Sequence, residues 1–422
     1  MRILNPLPRR FLTEDEGIGG RIKVRPEDFL VDELPLYEPC GRGEHLYLQV
    51  QKTGVAHGEL ISKIRRHFGV PEGAIGFAGM KDKVAITAQT ISVHLLADPP
   101  SVDLEDERIQ VVEATRHTNK LRRGHLAGNR FCVRIREVDP LKAPVVLRTL
   151  RRLEQSGAPC YFGFQRFGYR CNTHVLGAGL LLEDWRGVLE ELLGSSGSPF
   201  PEHQRERREL FDAGRYEEAA TLWSSSDRAE RAAIIALWRG RNDRQACRAV
   251  HRTARAFWIS ALQSAVFNRA LDQRIEAGTL MELVEGDVAW KHDSRAMFLV
   301  TAEELARPEL AGRVEAIELS SSGPMWGWGM KRAAGGVDRI EQDAVVATGI
   351  PLETFLDAAR GPKGGRRPMR TPLFNPQVDS GIDEHGGYIR VAFDLPRGAY
   401  ATVVLREIMK SGGPERAPTA TP

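Results

Sequence analysis

The chain has 422 residues, of which 42% are hydrophobic and 27% charged, with a net charge of +3. Such a length suggests two or three domains, and the composition is ordinary for a soluble globular protein. The small charge excess excludes a globally polybasic binder, though not local basic surfaces. The 41 glycines and 24 prolines argue against a helical bundle.

The N-terminal stretch MRILNPLPRRFL is too poor in apolar residues and too broken by proline to be a signal peptide. No run reaches the roughly 18 apolar residues that a membrane span needs, so the cytoplasm is the expected compartment. Residues 21–34 open with Ile22 and Val24 alternating against Arg21, Lys23 and Arg25, which predicts a strand with one apolar and one basic face. That basic face is either solvated surface or a wall for an anion. Gly58 to Phe68 carries Leu60, Ile61, Ile64 and Phe68 at helical spacing and stops at Gly69, which predicts a helix.

The organising stretch runs from Ile75 to Gln89. A short apolar run breaks at Gly79, presents Asp82 between Lys81 and Lys83, and resumes as a β-type run from Val84 to Val93. Asp82 therefore sits on a connection between two strands, with neighbouring lysines favouring its ionised form. An ionised, positioned carboxylate can act as a nucleophile or a base. Taken alone, Lys-Asp-Lys reads first as a polar turn.

Arg116 to His125 is a compact basic loop, including Arg122 and Arg123, of a kind that meets phosphates. It feeds a strand in which Phe131, Val133 and Ile135 share one face while Arg130, Arg134 and Arg136 share the other. By itself Phe131 reads as core, and Asn129 as either a turn residue or a hydrogen-bonding reader. Leu141 to Gly157 reads as a helix. Gly157 to Arg170 then packs aromatics, glycines and arginine into a loop-like segment. It suits either looped RNA, read by stacking and phosphate contact, or an aromatic cluster at a domain junction.

Residues 203–277 are helix-rich. Arg244, Arg248, Arg252 and Arg255 form a stripe turned away from the apolar one, as a solvated face or an RNA-backbone contact. Ser320 to Gly329 reads as another aromatic-glycine loop, and Gly361 to Arg370 as a basic, flexible linker. A strand from Tyr388 to Leu395, a turn, and a helix opening at Ala399–Thr402 close the chain before a polar tail at 411–422, which is expected to be disordered. The five cysteines (Cys40, Cys132, Cys160, Cys171, Cys247) form no Cys-x-x-Cys pair, so neither a zinc site nor a disulfide framework is signalled. No phosphate-binding or dinucleotide-binding glycine motif is present, so no cofactor is expected.

In this order, the segments resemble the TruD family of tRNA pseudouridine synthases. The residues carrying the resemblance are Lys23-Val24-Arg25-Pro26-Glu27-Asp28-Phe29, Gly79-Met80-Lys81-Asp82-Lys83 through Gln89, and Gly128-Asn129-Arg130-Phe131. Tyr161 to Gly168, Gly286-Asp287-Val288, Arg366-Arg367-Pro368 and Leu395 to Thr402 complete the set, spanning about residues 20 to 410. The resemblance implies an α+β fold: a mixed-sheet catalytic domain (1–155 plus 373–422) split by a large inserted α/β domain (156–372). It implies isomerisation of a uridine in structured tRNA, uridine 13 in bacterial members, with tRNA as partner, no metal or membrane, and a monomeric chain.

Carried over residue by residue, Asp82 matches the catalytic aspartate and Lys23 the basic residue paired with it. Phe131 matches the ring that packs on the target base, and Phe29, Asn129 and Tyr400 match positions lining the pocket. Arg122, Arg123, Arg248 and Arg252 are candidate contacts to the RNA backbone. Two departures stand out: Tyr400 where relatives can carry Phe, and Ser321-Ser322-Gly323-Pro324 in place of Pro-Thr-Gly-Pro. A non-catalytic RNA-binding or assembly factor on the same scaffold is the alternative. A methyltransferase would need a glycine-rich donor loop that the chain lacks.

Overall fold

The computed structural model describes residues 4–410, so the tail expectation at 411–422 lies outside the described residues. The chain divides into two compact units. Among the described residues, one comprises Thr13–Ala158 with 371–410, and the other comprises Pro159–Arg370 with 4–12.

The first unit is built on an eight-stranded mixed sheet. Side by side lie Phe374–Asp383, Gly386–Pro396, Leu126–Arg136, Phe29–Pro35, Ile86–His94, His45–Thr53 and Ile109–His117, with Ile75–Phe77 also paired to Ile86–His94. Only the Phe29–Pro35 and Ile86–His94 strands run parallel; the other pairings in this sheet are antiparallel. Alternation of apolar residues forms its core: Leu46, Leu48 and Val50 on one strand meet Ile91 and Val93 on the next. Helix His57–His67 buries Leu60, Ile61 and Ile64 in the same cluster, each worth about 1.5–3 kcal/mol of transfer free energy. Helix Ala143–Ser156 ends at Gly157, whose φ of 79° is open to glycine at little cost.

One expectation fails here. Residues 21–25 form no strand: Arg21 makes an isolated bridge to Arg136, Lys23 has a φ of 56°, and Pro26–Asp28 form a single 3-10 turn. A left-handed residue followed by a proline cannot sustain a strand. The arginines opposite Phe131, Val133 and Ile135 on the Leu126–Arg136 strand are each engaged within the unit. Arg136 is buried between Asp28 and Asp383, at 2.6 Å from each. Arg130 grips Asp394 through two 2.8 Å bonds, and Arg134 lies over the Tyr388 ring.

The second unit surrounds the long helix Arg252–Glu276 with shorter helices, and adds an antiparallel sheet ordered Gly365–Pro368, Leu319–Met325, Val288–Lys291, Met297–Leu299. Its helical core gathers Leu189, Phe211, Trp223, Ile234 and Leu237. Both segments read as loop and linker are therefore sheet. Leu319–Met325 is buried along its length, with the Ser322 hydroxyl donating to the Val288 carbonyl. Arg366, in the supposed linker, is buried and holds Glu341 through two 2.7 Å bonds. In the aromatic segment at 157–170, Tyr161 and Phe167 are fully buried in the core, while Tyr169 is exposed. The arginine stripe is interrupted, because helix Asp243–Ala249 ends before His251 caps the next helix. All five cysteines are free thiols. No helix among the described residues is long and apolar enough to cross a membrane.

Candidate active site

Asp82 lies on the irregular segment between strands Ile75–Phe77 and Ile86–His94. Phe77 pairs with Ile91, so the chain leaves one strand well inside the other and must travel along it to re-enter at Ile86. That excursion carries Gly79 to Lys83 out of the hydrogen-bonded ladder. Lys52 pins it down: its ammonium donates to the Asp82 carbonyl and the Val55 carbonyl, each at 2.7 Å. Lys52 is fully buried, and burial pulls its pKa below the ordinary value, against the opposing charge of Asp82. The backbone beneath the carboxylate is thus fixed while the carboxylate itself remains about half exposed (49%).

The side chain of Asp82 meets Lys23, whose Nζ lies 2.8 Å from Oδ2. The left-handed turn at Lys23, which destroys the expected strand, is what brings this lysine to the site. Its ammonium also sits 4.5 Å from the centroid of the Phe29 ring. Phe29 meets Phe131 edge-on at 6.4 Å, and Phe131 lies 5.8 Å from Phe393, directly opposite it on the neighbouring strand. Phe29 and Phe131 are both buried in this aromatic row, at 2% and 8% exposure.

Asn129 joins the site through Lys81. The Lys81 ammonium donates to Asn129 Oδ1 and pairs with Glu33 at 3.1 Å, with both partners of that ion pair nearly excluded from solvent. Lys81 is therefore committed to Glu33 and Asn129 rather than to its sequence neighbour Asp82. With its oxygen occupied, Asn129 turns an amide NH2 that has no hydrogen-bond partner among the described residues.

The basic loop is docked against the same segment. Gly76 comes so close to the Leu121 carbonyl that a side chain there would collide with it. The Gly124 N–H donates to the Ala78 carbonyl at 2.8 Å. Arg122 and Arg123 are exposed on this loop, and the Arg123 guanidinium lies over the Phe77 ring at 5.5 Å. Tyr400 is 40% exposed at the start of helix Ala401–Met409, just after Pro396 pairs with Gly128. Arg248 and Arg252 are exposed on the helices of the second unit.

Three participants were not singled out from sequence: Lys52, Glu33 and His57. For the first two a signal existed. Lys52 follows Leu46, Leu48 and Val50 on the buried parity of its strand, and Glu33 follows Phe29 and Val31 on theirs. A charge on an apolar stripe needs a buried partner, and each has one. His57 packs edge-on to Phe77 at 4.4 Å, and burial among Lys52, Arg123 and Lys81 pulls its pKa to about 4.

The chain matches known proteins along nearly its whole length. The family described as tRNA pseudouridine synthase D (TruD) matches residues 8–408. A protein named tRNA pseudouridine synthase D from Geobacter sulfurreducens is 39% identical over 407 residues, covering 96% of this chain and 97% of the relative. One of the same name from Geotalea daltonii is 38% identical over 397 residues, covering 94% and 98%. The crystal structure of a putative tRNA pseudouridine synthase D from Methanosarcina mazei superposes with a TM-score of 0.81 at 26% identity, covering 99% of this chain and all of that one.

Proposed function

The chain belongs to the TruD family of tRNA pseudouridine synthases, enzymes that isomerise RNA, and from that membership we propose that it converts uridine 13 of tRNA to pseudouridine with Asp82 as its reactive carboxylate. The observation that carries this reading is the 2.8 Å contact of Lys23 with a half-exposed Asp82 on a backbone clamped by Lys52.

The reaction breaks the bond between ribose C1′ and uracil N1 and forms one from C1′ to C5. N1 ends protonated and C5 gives up its proton, so no atom is added and no electron leaves. Asp82 can serve as nucleophile, forming a transient adduct, or as base, removing the ribose 2′ proton on a glycal route. Either role needs a carboxylate that can meet the substrate, and Lys23 at 2.8 Å holds it in place by a charge-assisted hydrogen bond.

Inside a folded arm the reacting atoms of uridine are inaccessible, so the base leaves its stack to reach Asp82. The open Asn129 amide suits a uracil carbonyl, and Tyr400 offers an accessible ring. Phe29 and Phe131, being buried, form the floor of that site more than a free stacking platform. Arg122 and Arg123 on the docked loop, with Arg248 and Arg252 in the second unit, hold phosphates of the backbone. The unit Pro159–Arg370 takes the part of the family's inserted domain, and the cytoplasm is where such an enzyme meets tRNA. Incubation with unmodified tRNA, followed by chemical derivatisation and sequencing, tests the reading: pseudouridine at position 13 supports it, and an unmodified product refutes it.

A further inference from the structure

The helical unit contains a concavity of whose lining only Arg248 has been used above. Helix Arg228–Trp238 ends at Gly240, whose φ of 74° lets the Arg241 N–H turn back to the Ala236 carbonyl. Asn242 then starts helix Asp243–Ala249 with a reciprocal capping box to Gln245. This short, doubly capped turn fixes the two helices around a groove of about 440 Å³. Its floor is apolar: Ala232, Ile235, Ala236 and Ala249. Its remaining lining is Arg239, Arg241, Arg248 and the amide of Gln245, with no carboxylate.

Those arginines, like Arg228, Arg231, Arg244 and Arg252, form no ion pair among the described residues, unlike three others in the same unit. Arg186, Arg205 and Arg215 each bind a glutamate about one helical turn away, Glu190, Glu202 and Glu218. Arg239, Arg241 and Arg248 are exposed and have no acidic partner among the described residues. Three unneutralised guanidinium groups around one apolar floor repel one another until an anion joins them. Three residues beyond Ile235, Trp238 is also 48% exposed.

We propose that this groove is a second RNA-binding site that seats one unstacked nucleotide of the tRNA, its base on the alanine and isoleucine floor and its phosphates among the three arginines. The volume lies in the range of small-ligand pockets, and joining an apolar base seat to a cationic rim suits a splayed nucleotide better than a duplex backbone. The proposal rests on the tRNA reading above and extends it to residues, Arg239 and Arg241, that the sequence did not single out.

The test uses the full-length protein and unmodified tRNA over a range of salt concentrations. The triple variant Arg239→Ala, Arg241→Ala, Arg248→Ala is expected to weaken tRNA binding at least tenfold. It should also lower the slope of log Kd against log salt by about 2, at roughly 0.7 per lost phosphate contact. Ile235→Ala is expected to weaken binding about threefold with the slope unchanged, because it trims a base seat and no charge. A thermal melt confirms that each variant folds. Unchanged affinity and slope in the triple variant would overturn the site and leave the groove to a protein partner. A loss in the triple variant with none in Ile235→Ala would reduce it to a phosphate contact and overturn the base seat. If the triple variant loses tRNA while the wild type forms no pseudouridine, the groove stands and the enzymatic reading falls.

Discussion

Lys23 and Asp82, separated by 59 positions, form a 2.8 Å contact in which the lysine is 16% exposed and the aspartate 49%. The asymmetry has a chemical meaning. The cation is seated against Phe29, while the anion keeps a face open to solvent.

Replacing that cation should act on the chemical step more than on RNA binding. Lys23→Met is expected to lower kcat about 10–100-fold, the loss typical of removing one preorganised charge partner at a reacting centre. Lys23→Arg should restore part of it, since it keeps the charge with altered reach. Single-turnover kinetics on tRNA separate the two effects, and an unchanged chemical rate in Lys23→Met would remove Lys23 from the site.

The buried pair Glu33–Lys81 is a structural prerequisite. Glu33→Ala leaves the Lys81 ammonium nearly excluded from water without its counter-charge, which costs about 3–5 kcal/mol of stability. The double variant with Lys81→Met should recover much of that loss. Urea denaturation reads both. Equal stability of the single variant and the wild type would show that water or Asn129 already satisfies the lysine.

Three buried histidines contribute to the response to acid. Burial pulls the pKa of His57, His174 and His292 to about 4 each, from the 6.5 of a free imidazole. The unfolded chain therefore takes up protons near pH 6.5 that the native fold refuses until about pH 4. Their contribution to stability is complete above pH 6.5 and is lost progressively as pH falls toward 4. Denaturation midpoints at pH 7 and pH 5 should differ less in a variant carrying His57→Gln and His292→Gln than in the wild type. Equal differences would contradict the assignment.

How much of this was legible follows the range of the interactions. The place of Asp82 on a connection between two strands was readable because its signal is local: two β-type runs and a polar break within about fifteen residues. The alternation of Phe131, Val133 and Ile135 likewise fixed the buried face of their strand. The resemblance paired Lys23 with Asp82, but the alternation of Ile22 and Val24 suggested a strand where a left-handed turn makes the pairing possible. Arg366 looked like linker because glycine and proline surround it, whereas its environment is set by Glu341, 25 residues away. Serines hid the strand Leu319–Met325, because hydroxyls that find buried partners, as Ser320 does with His292 at 2.9 Å, do not read as core. Composition describes a residue's own chemistry; which distant group satisfies it is decided by the fold.

The carboxylate itself bears the whole reading, and Asp82→Asn tests it most directly. The substitution keeps the size and hydrogen-bonding reach of the side chain and removes only its charge and nucleophilicity. Purified variant and wild type would be incubated with unmodified tRNA, pseudouridine mapped by derivatisation and sequencing, and tRNA affinity measured in parallel. The expected result is no pseudouridine from the variant, with affinity within about threefold of wild type, since a carboxylate makes no attractive contact with phosphates. Turnover by the variant at the wild-type rate would contradict the account.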